Sequence, residues 1–253
     1  NNSDWIDDLL KKGYTHENGN KDDGYYSVDG RPLGERNPKM LQDDYVKFIR
    51  FAQWKIDQLG HGIVSMITNH GYLDNPTFHG MRESLMHSFD EIAVLDLHGN
   101  ARKKETAPDG SKDENVFDIQ QGVAIQTMVK KKGKKKIVRR NDQYGLRQEK
   151  YDWLEAHALH RNGYEEIQPQ SPFYLFTKLD YDLGKQYQKH IKVTDLFPVY
   201  STGIKTHRDD FVIDFDERAL KRRIDTFIDS KNSDEKVRTL FDLNDNRDWK
   251  LSE

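Results

Sequence analysis

Two short apolar runs constrain the fold of this chain more than anything else in it. Gly62-Ile63-Val64-Ser65-Met66-Ile67-Thr68 and Phe89-Asp90-Glu91-Ile92-Ala93-Val94-Leu95-Asp96-Leu97 are nearly continuous in apolar residues, as strands buried on both faces are. Between them Pro76 opens a segment in which Phe78, Met81, Leu85 and Met86 recur at helical spacing. Strand, loop, helix and strand at this separation form a right-handed βαβ unit by default, so the chain is read as α/β with a parallel sheet. Such a unit needs partners, because its open edge and apolar faces must be buried against something.

The remaining elements are read from period and punctuation. Tyr45, Phe48, Ile49, Ala52, Trp54 and Ile56 give a helical face, with Asp43 or Asp44 as cap and Gly60 as stop. Trp5, Ile6, Leu9 and Leu10 suggest a shorter helix, followed by a Gly/Asn/Asp-rich stretch from Gly13 to Asp23. Val116 to Val129 reads as a third strand, with Ile137–Arg140 as its hairpin return around Gly133. Further on, Tyr151 to Leu159 suggests a helix, Phe173–Phe176 a strand, 193–215 loops and short strands, and Ala219–Ile228 a helix. The change of texture places a boundary near residue 141, and no internal repeat is found.

Composition excludes several classes of function. There is no cysteine, which removes disulfides, thiol nucleophiles and Cys-zinc sites and fits a reducing, cytoplasmic setting. No stretch approaches the ~20 apolar residues of a membrane span. Asn1-Asn2-Ser3-Asp4 carries neither an initiator Met nor a signal peptide, so the sequence is expected to be a piece of something longer. Gly60-His61-Gly62 is the nearest approach to a phosphate-cradling loop, but it precedes a strand where such a loop must follow one. No catalytic, cofactor-binding or metal-ligating set is therefore expected. Glu155, His157 and His160 are too few for a metal centre. The acidic run Asp209, Asp210, Asp214, Asp216, Glu217 fits turn and cap chemistry better than a magnesium-dependent nuclease.

Charge is concentrated. Between Lys130 and Lys150 ten basic side chains face only Asp142 and Glu149, a net +8 in a chain of −3 overall. That asymmetry points either to a polyanion or to a solvated hairpin tip.

Several blocks together carry a resemblance. They are Asp43-Asp44-Tyr45-Val46-Lys47-Phe48-Ile49-Arg50-Phe51-Ala52-Gln53-Trp54, Gly62 through Ile67-Thr68-Asn69-His70-Gly71-Tyr72-Leu73, Leu95-Asp96-Leu97-His98-Gly99-Asn100, Asp113-Glu114-Asn115-Val116-Phe117-Asp118-Ile119-Gln120-Gln121-Gly122-Val123-Ala124, and Ser201-Thr202-Gly203-Ile204-Lys205-Thr206 through Arg208-Asp209-Asp210-Phe211. From about Trp5 to at least Ile224 the chain resembles adenine-N6 DNA methyltransferases, and more narrowly those of single-polypeptide type I (type ISP) restriction–modification enzymes.

The resemblance implies a partial S-adenosylmethionine-dependent, Rossmann-like methyltransferase sheet followed by an α+β recognition region. Residues 1–140 would be the C-terminal part of the methyltransferase domain, and 141–253 a linker and the start of the target-recognition domain. The glycine loop for S-adenosylmethionine and the Asn-Pro-Pro-aromatic catalytic loop would lie upstream, leaving the fragment alone inactive. Implied partners are double-stranded DNA, the upstream methyltransferase half, and helicase and nuclease domains of the same polypeptide.

The family extrudes its target adenine from the duplex before methylating it. Phe117 matches the region supplying a wall for that base, though a place in the core would explain it as well. Asn69 and Tyr72 fall at the carboxyl end of a strand, where α/β sheets bind ligands. Lys130, Lys131, Lys132, Lys134, Lys135, Lys136, Arg139 and Arg140 would contact phosphates, and Thr206 and Arg208 the recognised DNA. The rival from another class is a non-catalytic DNA-binding or scaffold module with a methyltransferase-like fold.

Overall fold

The computed structural model describes residues 4–16, 19, 21–35, 37–131, 133, 135–157, 163–199, 206, 208–229, 231–245 and 250–251. The chain divides into two compact units, 1–181 and 182–253.

The first unit opens with helix α1 (Asp4–Lys12) and two short ribbons, β1 (Tyr14–Thr15) with β2 (Lys21–Asp22) and β3 (Ser27–Val28) with β4 (Arg31–Pro32). Helix α2 (Asp44–Leu59) follows, with Asp43 extended at the capping position. Gly60 ends it in the left-handed region (φ +72°), which glycine enters without a Cβ clash. The buried face of α2 carries Val46, Ile49, Arg50 and Gln53. Next come strand β5 (Gly62–Asn69), helix α3 (His79–Ser88) and strand β6 (Glu91–Asp96), the βαβ unit expected from the two apolar runs. Strands β7 (Val123–Lys130), β8 (Ile137–Asp142) and β9 (Glu165–Ile167), with helix α4 (Arg147–Ala156) between the last two, complete the unit.

The five-stranded sheet has the order β5-β7-β6-β8-β9. β7 runs antiparallel to both β5 and β6, β8 is parallel to β6, and β9 is antiparallel to β8. β5 and β6 therefore point the same way, as a βαβ unit requires, but β7 lies between them. The sheet is mixed rather than parallel. The expected hairpin across Gly133 does not form, because both edges of β7 are taken by β5 and β6. Ile137–Asp142 instead passes to the far side of β6. Nor does the third strand begin at Val116; residues 116–122 are held as a loop by side chains described below. Phe173–Phe176 is irregular, with Phe176 buried in the core. The boundary expected near residue 141 falls inside β8, a paired strand, and the units divide forty residues later.

One face of the sheet is fully packed. Val64, Val94, Ile92, Met128 and Val138 meet Ile49, Leu85, Phe78, Tyr72 and Phe176 there. The other face is covered only in part. Leu95, Leu97, Val116 and Val123 pack under Trp153 and Leu154 of α4 and under Tyr164. That cover stops short of β5, where Ile63 is 68% exposed and Ile67 43%. Among the described residues β5 also has no strand on its outer edge. Phe48, Phe51 and Leu59 of α2 are exposed as well.

In the second unit the described residues form helices only, among them α6 (Val193–Leu196), α7 (Asp209–Val212), α8 (Glu217–Ile228) and α9 (Asp234–Phe241), with α5 (Tyr181–Tyr187) at its start. Phe211, Val237 and Leu243 form its core with Ile224, Phe227 and Phe241. The α8 helix matches the expected 219–228. The short strands expected in 193–215, and with them an α+β region beyond Ile167, are not found among the described residues. Part of the acidic run is used locally: Asp216 caps α8 by accepting from the amides of Arg218 and Ala219, and Asp214 pairs with Arg223 at 2.6 Å. No described helix is long and apolar enough to cross a membrane.

Candidate functional site

β5, β6 and β8 all end on one edge of the sheet, at Asn69, Asp96 and Asp142. That edge carries a buried ionic network. Asp96 accepts from His70 Nδ1 (3.0 Å) and from the His98 amide (3.0 Å) on one oxygen, and from Arg140 (2.7 Å) on the other. Arg140 also bonds Asp142 (2.6 Å) and the Phe176 carbonyl (2.7 Å). The two ring nitrogens of His98 face Glu105 (2.7 Å) and Asp142 (2.9 Å), and its ring stacks on Tyr144 at 3.8 Å. Gly122 leaves the room this needs, since a Cβ there would lie 2.3 Å from the His70 ring.

The electrostatics follow from the geometry. Burial alone would lower the His98 pKa, but hydrogen bonds to Asp142 and Glu105 and the nearby Asp96 charge overcome it and raise it to about 9. Burial would raise Asp142, yet His98 and Arg140 hold it down to about 2. Tyr144 is pushed up to about 12 by burial and by the carboxylates around it. His70, Asp96 and His98 form the one His/acid group of metal-binding size among the described residues. Its ligand atoms are already spoken for. Arg140 sits on Asp96, and an imidazolium donating from both nitrogens has no lone pair to offer a metal. The arrangement is an ion-pair frame that pins the loops leaving the carboxyl edge.

The largest of those loops, 97–122, is held from a second side. Lys150 of α4, wholly buried, donates to the Leu97 carbonyl (2.7 Å), Asp113 Oδ1 (2.7 Å) and the Glu114 carbonyl (2.6 Å). Asp113 in turn accepts from the amides of Gly99 and Gly145. Gly99 is left-handed (φ +76°), and a Cβ there would approach Asn115 Cα to 2.4 Å. Asn115 donates to the carbonyls of Gly99 and Gln121, closing the loop on itself. At its tip Phe117 (44%) and Ile119 (47%) stand exposed beside an open hollow of about 570 Å³, which Asn115, Gln120 and Arg147 also line.

The residues singled out from sequence are only partly brought together. Phe117 is at this edge and is not a core residue. Asn69 is there too, but its side-chain oxygen accepts from the Gly71 amide (2.8 Å) and caps a turn. Tyr72 is wholly buried, with Phe176 at 6.5 Å and Tyr45 at 6.4 Å, so its ring offers no face to a ligand. Thr206 and Arg208 belong to the second unit and close the start of α7. The Thr206 hydroxyl bonds Asp209 and accepts from the Arg208 amide, and Arg208 reaches the Asn244 carbonyl.

Of the basic segment, Lys130, Lys131, Lys135, Lys136 and Arg139 lie toward the opposite edge, roughly 20 Å away along the strands, while Arg140, Arg147 and Lys150 belong to the carboxyl edge. Most of its charge is engaged internally. Lys130 pairs with Asp57, Lys136 donates to the Met86 and His87 carbonyls at the end of α3, and Arg139 pairs with Glu91 at 2.7 Å. Lys135 approaches Glu166 at 3.8 Å, and Lys131 is exposed. Arg140 is buried in the carboxyl-edge network and is not a surface cation. Lys132 and Lys134 lie outside the described residues, as does His160.

Sequence reasoning missed Asp96, His98, Asp142, Asp113 and Lys150 as a frame. Two signals were available. A polar block, Asp96-Leu97-His98-Gly99-Asn100, directly follows a buried strand, and Arg147, Lys150, Tyr151 and Leu154 share one face of α4.

Among the described residues no glycine-rich loop follows a strand to open a helix, and the turns after β5 and β6 are filled by the ionic frame. The fold is a mixed α/β sheet with an elaborated carboxyl edge, followed by a helical unit. Residues 195–253 match the family described as the Type ISP C-terminal specificity domain.

Similar solved structures include a DrdV–DNA complex (TM-score 0.57, 23% identity, 87% of this chain and 22% of that one). The ATP-dependent Type ISP restriction–modification enzyme LlaBIII bound to DNA is another (0.56, 22%, 85% and 15%). A third is a nuclease-deletion mutant of the Type ISP enzyme LlaGI with a DNA substrate mimic (0.55, 23%, 84% and 22%). The chain spans no more than 22% of the length of any of these three. Curated protein sequences gave no match. The resemblance to type ISP restriction–modification enzymes read from the sequence is thereby borne out.

Proposed function

We propose that this chain is part of an adenine-N6 DNA methyltransferase within a type ISP restriction–modification polypeptide. Its first unit is the trailing part of a Rossmann-like sheet, and its second unit begins the target-recognition region that engages double-stranded DNA. The observation that carries this is the contrast within the sheet. Its β6–β8 side is covered on both faces, whereas among the described residues β5 has no strand on its outer edge and exposes Ile63 and Ile67. An open strand edge beside exposed apolar side chains is what folds ordinarily cover, so β5 is where an upstream half would dock.

The chemistry is methyl transfer from S-adenosylmethionine to the adenine exocyclic amine. This nitrogen is a poor nucleophile because its lone pair is delocalised into the ring. The residues of this chain act on the base. Phe117 offers an exposed aromatic face to an adenine rotated out of the duplex, a motion that costs a few kcal/mol and that stacking at about 1–3 kcal/mol per base offsets in part. Asn69 sits on the same edge, as a second candidate contact.

In the full-length polypeptide, Phe117→Ala is expected to slow methylation at least tenfold while changing duplex affinity less than threefold. Equal losses in both would mean a structural role. Residues 1–253 alone are expected to bind no S-adenosylmethionine by calorimetry, and micromolar binding would refute the division of labour. A non-catalytic scaffold would show no methylation for Phe117→Ala to slow.

A further inference from the structure

Four successive backbone carbonyls around Phe117 are each bonded by a side chain of one helix. The Glu114 carbonyl accepts from Lys150 Nζ (2.6 Å), Asn115 from Arg147 Nε (2.7 Å), Val116 from the Tyr151 hydroxyl, and Phe117 from Arg147 Nη2 (3.1 Å). The same segment has its amides tied as well: Glu114 donates to the Gly145 carbonyl (3.0 Å) and Phe117 to its neighbour Asn115 Oδ1 (2.9 Å). None of these residues is in a helix or strand, so the bonds do the work that a ladder would do elsewhere. Arg147, Lys150 and Tyr151 are spaced i, i+3, i+4 and so rise from one face of α4.

An exposed apolar ring on an ordinary loop would turn inward or sample many positions. Here the backbone on both sides of the ring is fixed while the ring itself stays in solvent. We infer that α4 is a template for the Phe117 segment, and that Arg147, Lys150 and Tyr151 are positioning residues for the base that Phe117 receives. This rests on the proposed base-wall role of Phe117. Preorganisation of this kind raises the rate of the step that needs the geometry and leaves overall duplex binding nearly unchanged.

The test uses the full-length polypeptide with Tyr151→Phe, which removes one hydroxyl, and Arg147→Lys, whose single ammonium cannot span two carbonyls. Lys150 is left in place, since its loss strands a buried carboxylate and endangers folding. Two readouts are taken: amide hydrogen exchange of 113–122, and methyl incorporation from tritiated S-adenosylmethionine into unmethylated phage DNA, resolved into kcat and DNA KM. Both variants are expected to speed exchange over 114–118 at least tenfold, leave exchange in β6 unchanged, and lower kcat five- to tenfold with KM within twofold. Unchanged exchange, or faster exchange with unchanged kcat, overturns the template role. Phe117→Ala run in parallel separates the two claims. If it leaves kcat intact, the base-wall role fails on its own, and the exchange result still decides whether α4 orders the segment.

Discussion

The two edges of the sheet in the first unit invert what their sequences advertise. The amino edge carries the loudest signal in the chain, a run of lysines and arginines, and the fold spends much of it on internal partners such as Asp57, Glu91 and the carbonyls ending α3. The carboxyl edge is quiet in sequence, yet it gathers Asp96, His98, Arg140 and Asp142 into one buried network and holds an aromatic ring in solvent above it. A count of like charges measures a surface only after the acids and helix ends that fold against it are known. An exposed ring whose four neighbouring carbonyls, 114–117, are each bonded by a side chain is the stronger pointer to a ligand.

The largest expected break in this contrast is Lys150→Met. It leaves Asp113 charged, buried and unpaired, which costs about 3–5 kcal/mol, and should lower the urea midpoint of the first unit far more than Lys135→Ala. That exposed pair with Glu166 contributes about 0–1 kcal/mol, and comparable shifts for the two would erase the difference between the edges.

The pH dependence comes next. His98 is raised from 6.5 to about 9, so its contribution is complete below pH 6.5 and is lost as pH rises through 9. Asp142 is lowered from 3.8 to about 2, so its contribution is present above pH 3.8 and fades as pH falls through 2. At about 1.4 kcal/mol per pKa unit, the alkaline loss is on the order of 3 kcal/mol at most. Urea titrations at pH 6 and 9.5 should show it, and His98→Gln should remove it. Phe117→Ala is expected to alter stability by less than about 1 kcal/mol, as surface changes do; a loss of 3 would make the ring a packing residue. The smallest effect is expected from Lys135→Ala in the full-length polypeptide, which should change the salt dependence of DNA affinity by less than the roughly 0.9 slope unit of a full phosphate contact.

Much of the fold was legible because it rests on local period. The α2 helix ends where Gly60 says it should, and the runs at 62–68 and 89–97 became β5 and β6 in the expected relative direction. What was not legible is long-range pairing. Nothing in Val123–Lys130 says that it will enter between two earlier strands, and once it does, Ile137–Asp142 has no free edge of β7 to return to. The site divides in the same way. Phe117 was singled out through its motif neighbours, whereas Lys150 looked like one more cation in a basic stretch, because its acidic partner, Asp113, lies 37 residues away. Tyr72 was misplaced since a turn at a strand end can face either ligand or core, and Phe176, distant in sequence, closes over it.

The most direct measurement is a structure of the full-length polypeptide on DNA containing the adenine it is proposed to methylate. The expected result is that adenine rotated out of the helix, with its face within about 4 Å of the Phe117 ring and residues 114–117 still bonded to α4. A target adenine left stacked in the duplex, or extruded into a pocket that Phe117 does not line, would contradict it.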